Sequence, residues 1–260
     1  MNIILFTQDE IDKPLPRHDR RTEHLIKVLH KKAGDTFKAG LLGGNTGQGC
    51  ITGIDGDGSV HCALRLDEKP PQKMLLSIAL GFPRQIQLRR ILRALSSMGI
   101  PEINLLSCDL GEKSYRDTKL LQDGGAEVAM REGLEQARDT VMPVLRVWDS
   151  VDLFISSRKF ASQTSDAKAQ RGNLVPLEIC ADNAEGCASL SSVQLSRGQS
   201  VLLAVGPERG WSERERGLFD AGGYLRCSFG ERAMSTETAC IALSAVLLSR
   251  VIDTVFKKNS

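Results

Sequence analysis

Val201-Leu202-Leu203-Ala204-Val205 runs straight into Gly206-Pro207-Glu208-Arg209-Gly210-Trp211, and Ser212-Glu213-Arg214-Glu215 follows. Five consecutive apolar residues ahead of a Gly/Pro turn read as a fully buried strand. Ser212 with Glu215 three residues on is capping-box spacing and marks a helix N-terminus. A strand therefore empties through a short loop onto the positive end of a helix dipole. In open α/β sheets, ligands bind at such carboxyl ends of strands. The same shape recurs downstream. Tyr224 to Phe229 reads as a strand, Gly230-Glu231-Arg232-Ala233-Met234-Ser235 as its exit loop, and Thr236-Glu237-Thr238-Ala239 as the start of a helix reaching Phe256.

Working outward, the chain from residue 74 alternates strand and helix. Strands are expected at 74–82, 103–106, 144–148 and 174–180. Helices are expected at 84–98, 126–138 and 150–160, with a polar loop at 162–173. This alternation predicts an α/β domain with a mostly parallel sheet over 74–260. The first seventy residues differ. Strands are predicted at 1–6, 37–42, 50–54 and 60–66. A short helix is predicted at 20–29, apolar at Leu25, Val28 and Leu29. The glycines Gly43, Gly44, Gly47 and Gly49 read as a hairpin, and Asp55-Gly56-Asp57-Gly58 has hairpin chemistry. Lys69-Pro70-Pro71-Gln72-Lys73 reads as a linker, because consecutive prolines end both helix and sheet. A small β-rich domain, 1–70, is therefore expected ahead of the α/β domain.

Composition narrows the function. Among 260 residues, 41% are hydrophobic and 25% charged, which argues against disorder or a coiled coil as the main state. The net charge of +2 rules out a uniformly basic coat but leaves room for local basic patches. No apolar run approaches the roughly 18 residues of a membrane span, and the N-terminus lacks signal-peptide chemistry. Seven cysteines form no C-x-x-C pair and suit a reducing cytoplasm. The four histidines, all in the first quarter, form no metal-ligand array, so no metal site is expected. Neither strand-exit loop matches a phosphate loop or a dinucleotide fingerprint. A nucleotide cofactor without a polyphosphate suits their glycines and free amides better.

The paired loops resemble the signature of SPOUT-class methyltransferases, and more narrowly the bacterial ribosomal small-subunit methyltransferase E family, which methylates N3 of a uridine in 16S rRNA. That family has Gly-Pro-Glu-Gly-Gly-aromatic-Ser where this chain has Gly206 to Ser212. It has Leu-Gly-x-Arg-Ile-Leu-Arg-x-Glu-Thr-Ala where this chain has Phe229 to Ala239. His24-Leu25-Ile26-Lys27-Val28-Leu29, Gly34-Asp35 and Glu135-Gln136 fit as well. The departures are Arg209 for a glycine, Ser235 for an arginine and His30 for an arginine. Ala94 and Ser97 stand in a helix that usually carries Lys and Glu.

The resemblance implies a small N-terminal PUA-like β-barrel and a SPOUT domain with a C-terminal trefoil knot. It implies S-adenosyl-L-methionine held by Cys180, Ala181, Gly206, Pro207, Glu208, Gly210, Phe229, Gly230, Ala233 and Met234. Arg232 is the candidate to stabilise charge on the target base, with Glu237 to orient it and Ser235 as a hydrogen-bond donor. The partners implied are 16S rRNA or the small ribosomal subunit, and a second copy of the chain. The last helix, apolar from Ala239 to Leu248 on nearly every side, agrees with a homodimer, because a helix apolar all round must be covered all round. Arg20, Arg21, Lys27, His30, Arg84, Arg89 and Arg93 are candidate RNA contacts. They come from a stretch, 17–38, with seven Lys/Arg against three acids, and from an acid-free run at 84–93. The altered polar residues leave two other readings open: a SPOUT enzyme with another RNA target, and an RNA-binding protein on this fold without catalysis.

Overall fold

The computed structural model describes residues 1–163 and 174–256. The polar loop expected at 162–173 lies, from residue 164 on, outside the described residues. The chain divides into two compact units. The first comprises Met1–Gln72, Ser96–Gly99 and Met130–Met142, and the second comprises Lys73–Leu95, Ile100–Ala129 and Pro143–Ser260. The prolines at 70 and 71 thus stand at the change of unit, but two later segments return to the first unit.

In the first unit, β1 (Ile4–Phe6), β2 (Thr36–Leu41), β3 (Thr46–Ile54) and β4 (Val60–Glu68) form one sheet in that order. β1 runs parallel to β2, and the remaining pairs are antiparallel. Ile4, Phe6, Leu25, Phe37, Ala39, Ile51 and Val60 form its core, with Phe37 and Ala39 showing the period of two that defines an inward strand face. The glycine cluster is only partly a hairpin. The turn is confined to residues 42–45, and Gly47 and Gly49 lie within β3. A Cβ on Gly49 would sit 2.4 Å from the Phe37 ring, so the missing side chain makes room for that aromatic. On its second face the sheet packs Ile3 and Leu5 on Leu134, and the Glu135 carbonyl accepts from the backbone of Asn2 and Ile3.

The helix expected at 20–29 has two parts. One α-helical turn, α1 (Arg20–Glu23), passes into a wider π-helical turn, His24–Val28. The widened turn changes which face each residue takes. Leu25 is buried, but Val28 and Leu29 are 62% and 45% exposed, contrary to the apolar face expected from their spacing.

The second unit is a seven-stranded, fully parallel sheet. Its members are β5 (Leu76–Gly81), β6 (Glu102–Leu106), β7 (Val144–Trp148), β8 (Leu177–Ala181), β9 (Ala188–Ser189), β10 (Val201–Val205) and β11 (Leu225–Ser228). The spatial order is β7-β6-β5-β10-β8-β11-β9. β10 is buried along its whole length between β5 and β8, as an all-apolar strand of a parallel sheet must be. The main helices are α2 (Gln85–Ser97), α4 (Gly125–Ala137), α5 (Val151–Gln163), α6 (Glu213–Gly222) and α7 (Thr236–Phe256), with a single turn, α3 (Lys119–Gln122), between α2 and α4. α2 and α4 each contribute residues to both units.

Candidate functional site

Register places the exits of three strands side by side. Val205 at the end of β10 and Cys227 in β11 both align with Ala181, the last residue of β8. The loops leaving β8, β10 and β11 therefore begin at one level of one sheet edge. Between them lies a cavity of about 340 Å³. Eight of the ten residues expected to hold a cofactor line it: Ala181, Gly206, Pro207, Glu208, Gly210, Phe229, Ala233 and Met234. Cys180 does not; it is fully buried within the core under the sheet. Gly230 is also not in the lining, and its φ of +97° marks it as the residue that turns the chain away from β11.

The β10 exit loop is held from several sides. The indole N–H of Trp211 donates to the Ala181 carbonyl at 3.0 Å, while its ring packs edge-on against Phe219 at 4.7 Å. Gly210, at φ +71°, closes a turn by donating to the Pro207 carbonyl. The capping box at Ser212 forms as its spacing predicts, and the second oxygen of Glu215 accepts from the backbone of Asp109. Pro207 lies directly over the end of β5: a Cβ on Gly81 would come within 2.6 Å of its ring.

The lining also includes Asp182 and Arg216, which sequence reasoning missed. Asp182 is nearly buried and receives Arg216 from α6 at 2.9 Å and Arg226 from β11 at 3.5 Å. Its backbone N–H donates to the Cys227 carbonyl. One carboxylate thus ties the β8 exit loop to two other elements around the cavity. The available signal was position: Asp182 follows the last strand residue directly, and Arg216 sits one helical turn past the Ser212 cap. The cavity carries two acids, Asp182 and Glu208, and two cations, Arg209 and Arg216, beside apolar Val205, Met234 and Leu243. Its one thiol, Cys227, is pushed up to about 11 by burial, so it is a neutral thiol rather than a nucleophilic thiolate near neutral pH.

The three catalytic candidates stand at the rim. Arg232 is exposed on the loop that supplies Ala233 and Met234. Glu237 faces Arg90 of α2 at 3.7 Å. The Ser235 hydroxyl accepts from the backbone of Thr238 and meets the Thr238 hydroxyl at 2.9 Å, so it caps α7. Of the RNA-contact candidates in this unit, Arg84, Arg89 and Arg93 are exposed on or beside α2, and Arg84 donates to the Tyr115 hydroxyl at 3.0 Å.

In the first unit, Arg20 pairs with the buried Glu135 while staying half exposed, Lys27 pairs with Glu23, and His30 is exposed at φ +51°. Arg21 is removed from the set. Its side chain is 7% exposed, bound by Glu10 and Asp19 at 2.7 Å each, donates to the Leu5 carbonyl and lies over the Phe6 ring. A guanidinium so fully engaged is not offered to a phosphate. Among the described residues no group of His, Cys, Asp or Glu is arranged to hold a metal ion, and no helix is long and apolar enough to cross a membrane.

Residues 70–248 match the family of RNA methyltransferase domains. The chain is 37% identical over 252 residues to ribosomal RNA small subunit methyltransferase E of Treponema pallidum, covering 96% of this chain and 91% of that protein. It is 28% identical to ribosomal RNA small subunit methyltransferase E 1 of Borreliella burgdorferi, covering 97% and 100%. In fold it is similar to a probable rRNA-methyltransferase from Porphyromonas gingivalis, with a TM-score of 0.69, 20% identity and coverage of 94% and 97%. It is likewise similar to a ribosomal RNA small subunit methyltransferase E from Neisseria gonorrhoeae bound to S-adenosyl methionine, with a TM-score of 0.66, 15% identity and coverage of 96% and 97%.

Proposed function

Because the chain belongs to the ribosomal RNA small subunit methyltransferase E family, we propose that it transfers a methyl group from S-adenosylmethionine to N3 of a uridine in 16S rRNA. The observation that carries this reading is the cavity between three strand-exit loops. Its residues suit the cofactor. Glu208 offers a carboxylate to a ligand that carries sulfonium and ammonium charge, Asp182 braces the wall through Arg216 and Arg226, and Val205, Met234 and Leu243 offer an apolar wall to its adenine. The volume is within the range of small-molecule sites.

S-adenosylmethionine supplies a methyl group already activated on a cationic sulfur. The protein's work is then placement and charge. The glycine loops hold the donor while the RNA-binding residues bring the uracil ring up, to about 3–3.5 Å between reacting atoms. The N3–H proton passes to solvent water, negative charge spreads onto the uracil oxygens, and N3 then takes the methyl group, with the donor sulfur leaving as a neutral thioether. Arg232, on the same loop as Ala233 and Met234, is the guanidinium assigned to that charge. Glu237 faces Arg90, and among the described residues no carboxylate pairs with Arg232. Ser235 cannot supply a guanidinium's charge or fork, and its capping bond gives it a structural use instead.

The same reading makes the first unit a PUA-like barrel that docks RNA through Arg20, Lys27 and His30, with Arg84, Arg89 and Arg93 contributing from the second. It also carries the SPOUT knot. In support, the chain leaves β8, inserts β10 between β5 and β8, crosses back to β11, and returns α7 against β5 and β10. A homodimer through α7 and work in the cytoplasm complete it.

The test is transfer of tritium from labelled S-adenosylmethionine to small ribosomal subunits from a strain lacking the protein, followed by mapping of the labelled nucleotide. One N3-methyluridine in 16S rRNA is expected. Cofactor binding without transfer, or label on another base, would overturn the assignment.

A further inference from the structure

The first unit holds a second cleft, of about 300 Å³, that no part of the reaction uses. Lys38 on β2, Lys69 at the end of β4 and Arg138 beyond α4 line it, with Glu68 as its one acid. Glu68 lies 3.9 Å from Lys38, and among the described residues no carboxylate pairs with Lys69 or Arg138. Three cations against one acid leave a local excess of two positive charges.

Two backbone features sharpen this. Arg138 has φ +59°, the left-handed region where an L side chain crowds its own backbone and glycine is the usual occupant. Helix α4 needs that turn to end, but the turn does not need a guanidinium. Keeping the longest cationic side chain at a position suited to glycine is strain held at a site with another use. The second feature is the wall of the cleft at Gly47, where the β3–β4 register shifts by a residue. A Cβ there would lie 2.0 Å from the Arg65 carbonyl oxygen, so this wall is bare backbone. Bulges of this kind re-aim neighbouring side chains and cluster near functional sites.

We infer that the cleft between Lys38, Lys69 and Arg138 binds a phosphate of the RNA backbone, as a contact separate from those at Arg20, Lys27 and His30. It rests on the reading that this chain acts on rRNA. Phosphate contacts fix orientation without reading sequence, so the cleft sets how the RNA lies on the first unit and leaves base choice to the cavity loops.

The experiment is fluorescence anisotropy of a labelled 16S rRNA transcript with the full chain, titrated at several salt concentrations. The variants are Lys69→Gln and Arg138→Gly, with Lys38→Gln as a third. Arg138→Gly installs the residue that the turn favours, so folding is spared. Each variant is expected to lower the slope of log affinity against log salt by about 0.7–0.9, with S-adenosylmethionine affinity unchanged by calorimetry. Unchanged slopes in all three variants, while the wild type binds RNA, would overturn this inference alone. A wild type that does not bind the transcript would overturn the underlying reading as well. A calorimetric arm with inorganic phosphate separates the remaining case. Phosphate binding lost in Arg138→Gly, with RNA slopes unchanged, would make the cleft a free-anion site and reject the RNA contact.

Discussion

At the scale of single residues, the cavity depends on a glycine outside both signature loops. Gly81 ends β5, and any Cβ there meets Pro207 at 2.6 Å and the Cys108 sulfur at 3.0 Å. Pro207 and the residue before it are both pinned, since the Gly206 carbonyl accepts from Thr236 and the Pro207 carbonyl accepts from Gly210. The loop cannot yield without moving the cavity wall. Gly81→Ala is therefore expected to weaken S-adenosylmethionine binding at least tenfold by calorimetry, a loss of about 1.4 kcal/mol. Gly206→Ala, whose Cβ would have 3.2 Å to its nearest neighbour, should cost less. The loops were legible because glycine, proline and a capping box mark turns whatever surrounds them. Gly81 was not, because only the neighbouring strand's exit loop makes its missing side chain necessary.

A second residue-scale prediction concerns acid. Hydrogen bonds from the Arg21 guanidinium hold the Glu10 carboxyl down at about 2, against an ordinary value of 4.5. Burial pushes the Asp19 carboxyl up, but bonds from Arg21 outweigh it and the net direction is down. A carboxyl depressed in the folded state stabilises above its unfolded value and loses that contribution as pH falls towards its folded value. The Glu10 contribution, on the order of 1–2 kcal/mol once solvent screening of a partly exposed pair is allowed for, is present above about pH 4.5 and is lost progressively as pH falls towards 2. Urea unfolding followed by circular dichroism should show a falling midpoint across that window. Arg21→Met should lower the midpoint at pH 7 and flatten its acid dependence. From sequence, Arg21 was one more charge in a basic stretch; its carboxylate partners are 2 and 11 residues away, and no pattern links the three before the chain folds.

At the scale of elements, the last helix depends on a residue first read as chemical. Ser235 accepts the Thr238 amide, and capping hydroxyls of this kind are worth about 1 kcal/mol. Ser235→Ala is expected to lower the melting temperature by about 2–4 °C. Ser235→Asp should restore it, because an anionic cap suits the helix dipole. If methyl transfer by Ser235→Ala stays within twofold of wild type, the hydroxyl's use is structural; loss of transfer with melting unchanged would return it to the chemistry. Elements were legible where one period holds throughout, as along β10. They were misread where the period changes within an element. The π-helical turn at His24–Val28 carries Val28 and Leu29 outward. Gly47 and Gly49 extend β3 because the neighbouring backbone and an aromatic ring fill their side-chain space.

At the scale of the whole molecule, hydrophobic runs announced the strands but not their order. Nothing local to Val201–Val205 says that it inserts between β5 and β8, since a parallel partner is chosen by backbone pairing and burial that any short, mainly apolar strand of the chain could offer. Nor does a helical pattern say that residues 130–142 belong with the first seventy. The last helix shows how a whole-chain property can still be argued from one element. Its apolar surface exceeds what the chain covers. Cys240, Leu243, Leu247, Leu248 and Val251 are buried, while Ile241, Ala242 and Val246 are half-buried, Ala245 is exposed and Ile252 is 39% exposed. The uncovered residues recur at helical spacing and form one stripe, the form that an isologous two-fold interface takes. Val246→Asp on that stripe would place an unpaired charge in the interface, at a cost of several kcal/mol for each copy. Leu247→Asp is the wrong probe, because Leu247 is fully buried within its own unit and the charge would unfold the protomer. Sedimentation velocity should give a dimer for the wild type and a folded monomer for Val246→Asp, with its circular dichroism retained. A wild type that sediments as a monomer and still transfers methyl groups would reject the dimer.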